Sequence, residues 1–312
     1  MAEQAVPQNT AAELDGKVVI VTGAGHGLGR DYALHAAGEG AAVMVNDIDA
    51  DAAEAVAAEI TGKGGLAAWH GCSVASHEAA QELVAACVGQ FGRLDGLVNN
   101  AGLRPEGAAW DESPADIRRA VEVNLLGTIF CGVAAMPHLR EQRCGSIVNA
   151  SSRAQRGIPS SATYAATKGA VASLTYSWAI DLRGSNVRVN AIAPQAQGTG
   201  TRRRSVLPGS DEPRPDQSAP LVTYLLSDRS RLVTGQIIRL GGRHDSLSVG
   251  LMTHPRNGTF LRRSDGWSVE ALAAAFDTTF GPVLEPVGAE SMPVAYRSVG
   301  GATVTVARED SL

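Results

Sequence analysis

The stretch KVVIVTGAGHGLGR, Lys17–Arg30, decides the fold of this 312-residue chain. Lys17–Val21 is a short β-branched run between glycines, the pattern of a buried strand. Gly23, Gly27 and Gly29 follow, and a helix is expected from about Leu28 to Glu39. Strand, glycine turn and helix, in that order, are the context of a phosphate-cradling loop. Glycine allows a tight turn, and backbone N–H groups at the start of the helix can then face a pyrophosphate. The spacing is GxxxGxG. The GxGxxG form would put its third glycine at Leu28, so the loop is a variant.

Working outward, AAVMVNDID gives a second buried strand, Ala42–Asn46, that ends beside Asp47. A carboxylate about 20 residues past such a loop accepts hydrogen bonds from the ribose hydroxyls and repels a 2′-phosphate. No Arg follows Asp47 immediately, and the loop position where NADP enzymes often carry a base is His26. NAD is therefore expected rather than NADP. Asp47 also reads as a turn residue, and either it or Asp49 can cap the next helix.

Further strands are expected at Leu66–His70, Leu94–Asn99, Ser146–Ala150, Asn186–Ile192 and Gln236–Leu240, which makes seven. Helical stretches fall between them at Ala50–Ile60, Ser76–Phe91 and Asp111–Met136. This alternation predicts an α/β chain with one doubly wound parallel sheet and helices on both faces. Ligands in such folds bind beyond the carboxyl ends of the strands. The glycine loop, Asp47, the NNAG run Asn99–Gly102, Ser151 with Ser152, and Pro194–Thr199 all fall there. Asn124 lies inside the apolar run AVEVNLLGTIF and needs a partner if buried. It reads equally as a satisfied core amide or as a functional one.

The same edge carries Ser151–Lys168. Tyr164 and Lys168 are four residues apart, which stacks them on one helical face. The helix is Ala-rich and free of Pro, and Ser160, Ser161 and Thr163 can cap its start. A phenol titrates near ~10 in water, and a cation one turn away lowers it toward the range useful for acid/base work. YxxxK recurs on helices by chance, so the pair gains its meaning from its position on the sheet edge.

Composition narrows the class. The net charge of −5 gives no reason to expect nonspecific nucleic-acid binding. Cys72, Cys87, Cys131 and Cys144 form no CxxC pair and read as reduced, so no metal site and a cytoplasmic location are expected. Residues 1–13 are polar, without the basic and apolar regions of a signal peptide. No apolar run reaches the roughly 18 residues of a membrane helix, so no membrane partner is expected.

With these residues in hand, the chain resembles the short-chain dehydrogenase/reductase family over roughly residues 14–243. The matching pieces are TGAGHGLG (Thr22–Gly29), Asn99–Gly102, Asn124, the serine pair, Tyr164 with Lys168, and Pro194–Thr199. The resemblance implies a seven-stranded Rossmann-type fold and NAD(P)-linked interconversion of a secondary alcohol and a ketone, in homotetramers or homodimers. It implies cofactor contacts from Gly23, His26, Gly27, Leu28, Gly29, Asp47, Ser73, Val74, Asn100, Ala101, Gly102, Tyr164, Lys168, Pro194 and Thr199. It also implies that Tyr164 exchanges the proton and that Lys168 lowers its pKa and bonds the ribose. Asn124 would hold a water, and a serine would bond the substrate oxygen.

Three departures stand out. Tyr164 lies 13 residues after Ser151 and 12 after Ser152, where the family's gap is 13 from the second serine of such a pair. A deletion is tolerated better in a loop than in a buried strand, which favours Ser152, with Ser151 as the alternative. Gln195 replaces the common glycine after Pro194. Ser73 stands where the family often has Asp facing adenine.

A narrower similarity is to the 3-hydroxyacyl-CoA dehydrogenase units of multifunctional enzymes and their bacterial relatives. It implies a 3-hydroxyacyl-CoA-like substrate. A steroid or other hydrophobic secondary alcohol is the alternative. A non-catalytic dinucleotide-binding regulator is opposed by the complete Asn/Ser/Tyr/Lys set. Residues 196–217 read as the substrate loop, with Ser151, Gln195 and Arg202 as substrate contacts. Arg202, Arg203 and Arg204 can meet CoA phosphates or form a solvated charge run. Residues 244–312 read as an extension. Val269, Leu272, Phe276 and Phe280 share one helical face there, expected to cover the cleft or a neighbouring subunit, and 287–307 read as a hairpin around Gly300-Gly301.

Overall fold

Strand β1, Val18–Thr22, and strand β2, Ala42–Asn46, are buried at all five positions each. Both faces of these strands are covered, as parallel sheets require. The computed structural model describes residues 12–195, 213–243 and 246–252. The remaining strands are β3 (Leu66–His70), β4 (Gly96–Asn99), β5 (Gly145–Ala150), β6 (Val187–Pro194), β7 (Ile237–Arg243) and β8 (Ser246–Leu251). Their order is β3-β2-β1-β4-β5-β6-β7-β8. Every pairing is parallel except β7 with β8.

The sheet therefore has eight strands where the sequence pattern predicts seven. Past Arg243 the chain doubles back, pairing Arg243 with Ser246 and Ile238 with Leu251. SLSVGL alternates apolar and small residues, which suits an edge strand with one open face. Leu247, Val249 and Leu251 lie exposed along it. The sheet thus runs on into the stretch expected to be an extension. The amphipathic segment 268–280, the 287–307 hairpin and residues 1–11 lie outside the described residues.

Successive residues of β1 point to opposite faces. Val19 and Val21 join the core under helices α1 (Gly27–Gly38), α2 (Ala50–Gly62) and α7 (Ala219–Leu226). Val18 and Ile20 join the core under α3 (His77–Phe91), α5 (Gly127–Gln142) and α6 (Ala162–Asp181). Burial pushes the Cys87 and Cys131 thiols in this second core up to about 12.

The expected helix over Asp111–Met136 is in fact α4 (Pro114–Val121), a π-helical turn at Glu122–Leu126, and α5. Against the expectation that no run reaches the length of a membrane helix, Pro114–Gln142 is long and apolar enough to do so, by length and composition only. Here it lies against the sheet and α3, and a Cβ on Gly132 would collide with the Trp178 ring of α6. Its buried residues Cys131, Ala135 and Leu139 belong to that packing.

Candidate active site

The winding of the sheet changes direction at β1, with β2 on one side of it and β4 on the other. That switch point opens a crevice at the carboxyl ends of the strands. The glycine loop lines it. Gly23 sits at φ +62°, and a Cβ there would lie 2.8 Å from Ala101 Cα. A Cβ on Gly29 would collide with the Gly23 carbonyl oxygen. These two positions accept nothing larger than hydrogen.

The NNAG run straps this loop. Thr22 Oγ1 accepts from the backbone N–H groups of Asn100 at 3.0 Å and Ala101 at 3.1 Å. The Asn100 amide donates to Thr22 O at 3.0 Å and Gly23 O at 3.1 Å. Asp47 is tied to the same loop: its Oδ2 accepts from Gly25 N at 2.9 Å, and its Oδ1 from Asp49 N at 3.1 Å. Asp49 is the cap of α2, accepting from Ala52 N at 3.2 Å. His26 Nε2 lies 3.2 Å from Asp49 Oδ2. A glycine-rich loop beside a carboxylate with lone pairs to spare fits a dinucleotide.

Asn124 sits in the π turn, fully buried. Its Oδ1 accepts from Leu103 N at 2.7 Å, and its Nδ2 donates to Leu103 O at 2.8 Å and Thr167 Oγ1 at 3.0 Å. The side-chain amide is thus partnered within the protein. It fixes the loop after β4 against α6.

Tyr164 and Lys168 stand one turn apart on α6. Lys168 is buried, its Nζ donates to Ala150 O at 2.6 Å, and it sits 5.7 Å from the Tyr164 ring centroid. Burial pulls this lysine down to about 8. Burial also raises the Tyr164 phenol, while a hydrogen bond with Ser152 and the charge of Arg104 draw it back. The two serines part ways. Ser151 is buried, with its Oγ 2.9 Å from Lys168 O and 3.2 Å from Gln155 Oε1. Ser152 Oγ accepts from Ala154 N at 3.1 Å and reaches the phenol.

These residues share one cleft of about 1560 Å³. Gly23, His26, Gly27, Leu28, Gly29, Asp47, Ser73, Val74 and Asn100–Gly102 line the side of the glycine loop. Ser151, Ser152, Tyr164, Lys168, Pro194 and Gln195 line the other. Gln195 is held by its N–H donating to Leu240 O at 2.8 Å. Asn124 stands behind the wall rather than on it. Thr199, Arg202, Arg203 and Arg204 lie outside the described residues.

The sequence pattern described as short chain dehydrogenase matches residues 17–207. The chain belongs to the short-chain dehydrogenase family. Family members are oxidoreductases of alcohols and ketones that use a nicotinamide dinucleotide. A 3-oxoacyl-(acyl-carrier-protein) reductase of Thermotoga maritima is 34% identical over 243 residues, 73% of this chain and 98% of that protein. A subunit of a hydroxy(phenyl)methylsuccinyl-CoA dehydrogenase of Thauera aromatica is 34% identical over 243 residues, covering 74% and 97%. The crystal structure of a short chain dehydrogenase from Mycobacterium avium superposes with a TM-score of 0.80 at 33% identity. It covers 88% of this chain and 98% of its own.

Two residues of this short-chain dehydrogenase escaped the reading of motifs. Arg104 lines the cleft with its guanidinium carbon 5.7 Å from the Tyr164 ring centroid. Glu112 accepts from Thr163 N at 3.1 Å and from the Thr163 hydroxyl, pinning the start of α6. Neither belongs to a spacing pattern. Arg104 carried one signal only, its place two residues after NNAG.

Proposed function

We propose that this short-chain dehydrogenase is an NAD-dependent oxidoreductase interconverting a secondary alcohol and a ketone, with a 3-hydroxyacyl-CoA-like substrate. One observation carries the reading: the Tyr164 phenol, hydrogen-bonded with Ser152, opens into the same cleft as the glycine loop and Asp47. The nicotinamide, when bound, accepts or supplies the hydride. In the oxidising direction the Tyr164 phenolate takes the hydroxyl proton of the substrate as the carbinol carbon loses its hydride. Ser152 bonds the substrate oxygen and steadies its developing charge. Lys168 holds the ribose hydroxyls, and Asp47 selects against a 2′-phosphate. The thioester reading is supported by the two named relatives, whose names carry acyl-carrier-protein and CoA compounds. We place the enzyme in the cytoplasm as a homotetramer or homodimer.

The deciding experiment follows NADH or NADPH formation with 3-hydroxybutyryl-CoA, a hydroxysteroid and 2-butanol, each with NAD⁺ and NADP⁺. Turnover is expected to be highest with the CoA thioester and NAD⁺. Tyr164→Phe should lose at least about 100-fold, the lower range for a general acid/base. Full turnover by Tyr164→Phe sinks the assignment, and a preference for NADP⁺ or 2-butanol sinks the cofactor or substrate part alone.

A further inference from the structure

We infer that the Arg104 guanidinium binds a carboxylate that the substrate carries close to its carbinol carbon, which makes Arg104 a specificity-determining residue. The inference rests on the proposed reading of the cleft and narrows its substrate to a 3-hydroxyacyl thioester whose acyl chain ends in a carboxylate. Arg104 lines the cleft together with Ser152 and Tyr164. Its guanidinium carbon lies 5.7 Å from the Tyr164 ring centroid. A substrate oxygen at the phenol and an anionic group at the guanidinium are thus a few bonds apart on one molecule.

Arg104 is held ready for a ligand. The residue before it is clamped by Asn124 through both backbone groups, N–H at 2.7 Å and C=O at 2.8 Å. Its own Nε donates to Ser161 Oγ at 3.3 Å, and Ser161 is buried at the start of α6. That leaves Nη1 and Nη2, which have no hydrogen-bond partner among the described residues. Two donors on one planar group match the two oxygens of a carboxylate. Among the described residues one carboxylate comes within ion-pair distance, Glu106, at 3.7 Å from Nε and 59% exposed, so it offsets little of the charge. Asp116, the other acid on that part of the wall, accepts from the Ser113 hydroxyl at 2.8 Å at the start of α4. Arg119 and Arg153 also line the cleft, but among the described residues no hydrogen bond fixes either side chain. An arginine already fixed loses less entropy on binding than a loose one. A chain ending in a methyl group would cover the guanidinium and strip its water without replacing those hydrogen bonds.

The test compares five-carbon acyl chains that differ only at their ends, and it reads binding before turnover. Calorimetry measures glutaryl-CoA and pentanoyl-CoA, which lack the reacting hydroxyl, on the full-length protein loaded with NAD⁺. The native chain is expected to bind glutaryl-CoA at least about tenfold tighter, the low end for a charge-assisted pair because Arg104 is partly solvated. Arg104→Gln should erase that difference by weakening glutaryl-CoA. Arg104→Lys, a point charge without the fork, should keep part of it. In turnover, 3-hydroxyglutaryl-CoA should show the lower KM against 3-hydroxypentanoyl-CoA, and Arg104→Gln should remove that advantage. Equal binding of the two chains by the native protein overturns the inference without any variant. So does an Arg104→Gln protein that keeps the preference or weakens both chains equally. If neither thioester binds, the thioester part of the function fails by itself. The same comparison with 3-hydroxybutyrate and 2-butanol, where a carboxylate replaces a methyl group, then decides the role of Arg104.

Discussion

Lys168 shows most directly what this site costs the fold. Its ammonium is buried with one hydrogen bond, to Ala150 O, and its pKa falls from 10.5 to about 8. The shift means that the folded state disfavours the charged form. Below about pH 8 the lysine is charged in both states and the full cost is present. Between about 8 and 10.5 the folded state sheds its proton first, so stability contributed by this group rises with pH. A shift of this size corresponds to roughly 3 kcal/mol. Lys168→Met removes the charge but leaves Ala150 O without its donor. We expect a net gain of about 1 to 2 kcal/mol at pH 7 by urea denaturation, shrinking to nothing above pH 10, together with loss of turnover. A variant less stable than the parent at pH 7 would show that the lysine is better solvated than its burial implies. The sequence could place Tyr164 and Lys168 on one face because helical spacing is local. It could not tell that the lysine faces a carbonyl and the ring, because that depends on how α6 sits against β5.

Elements were legible where their signal is local and strong. The short apolar runs VVIVT and AVMVN became β1 and β2, buried at every position. The glycine loop was legible for the same reason: φ above zero and close backbone approach admit few alternatives. Helix α7 and strand β8 were missed. One is eight residues long and directly follows a 3-10 turn at Pro215–Ser218, and the other begins a stretch that looked like a separate extension. The π turn was missed too, since extra backbone winding leaves no compositional mark. It matters because it carries Asn124. We expect Asn124→Ala to orphan Leu103 N–H, Leu103 C=O and one bond of Thr167, at about 3 kcal/mol. Hydrogen exchange should show the Leu103 amide losing protection before α5 and α6 do. If that amide stays protected, the side chain is not what holds the loop after β4.

At the scale of the whole molecule, the candidate site is gathered by topology. Thr22, Asn99, Ala150 and Pro194 end four parallel strands, so residues distant in sequence arrive at one rim. That convergence was legible from the alternation of strands and helices. The closing of the sheet was not. Met252, just past β8, is buried with Ala172, Ala191, Ala193 and Ile237. Its sulfur lies 3.4 Å from Gln155 Nε2, and Gln155 Oε1 lies 3.2 Å from Ser151 Oγ. A continuous contact thus runs from the last strand to the serine loop. Met252→Ala should cost about 2 kcal/mol in denaturant, the low end for a buried Met because the site lies at the sheet's edge. Met252→Leu keeps the volume and should cost less than about 1.5 kcal/mol. It also removes the sulfur that Gln155 touches. If Gln155 is set by packing, Met252→Leu retains the turnover of the parent and Met252→Ala does not. If the two variants lose turnover equally at equal folding, the sulfur contact itself positions the loop, and packing at the end of the sheet is the lesser term.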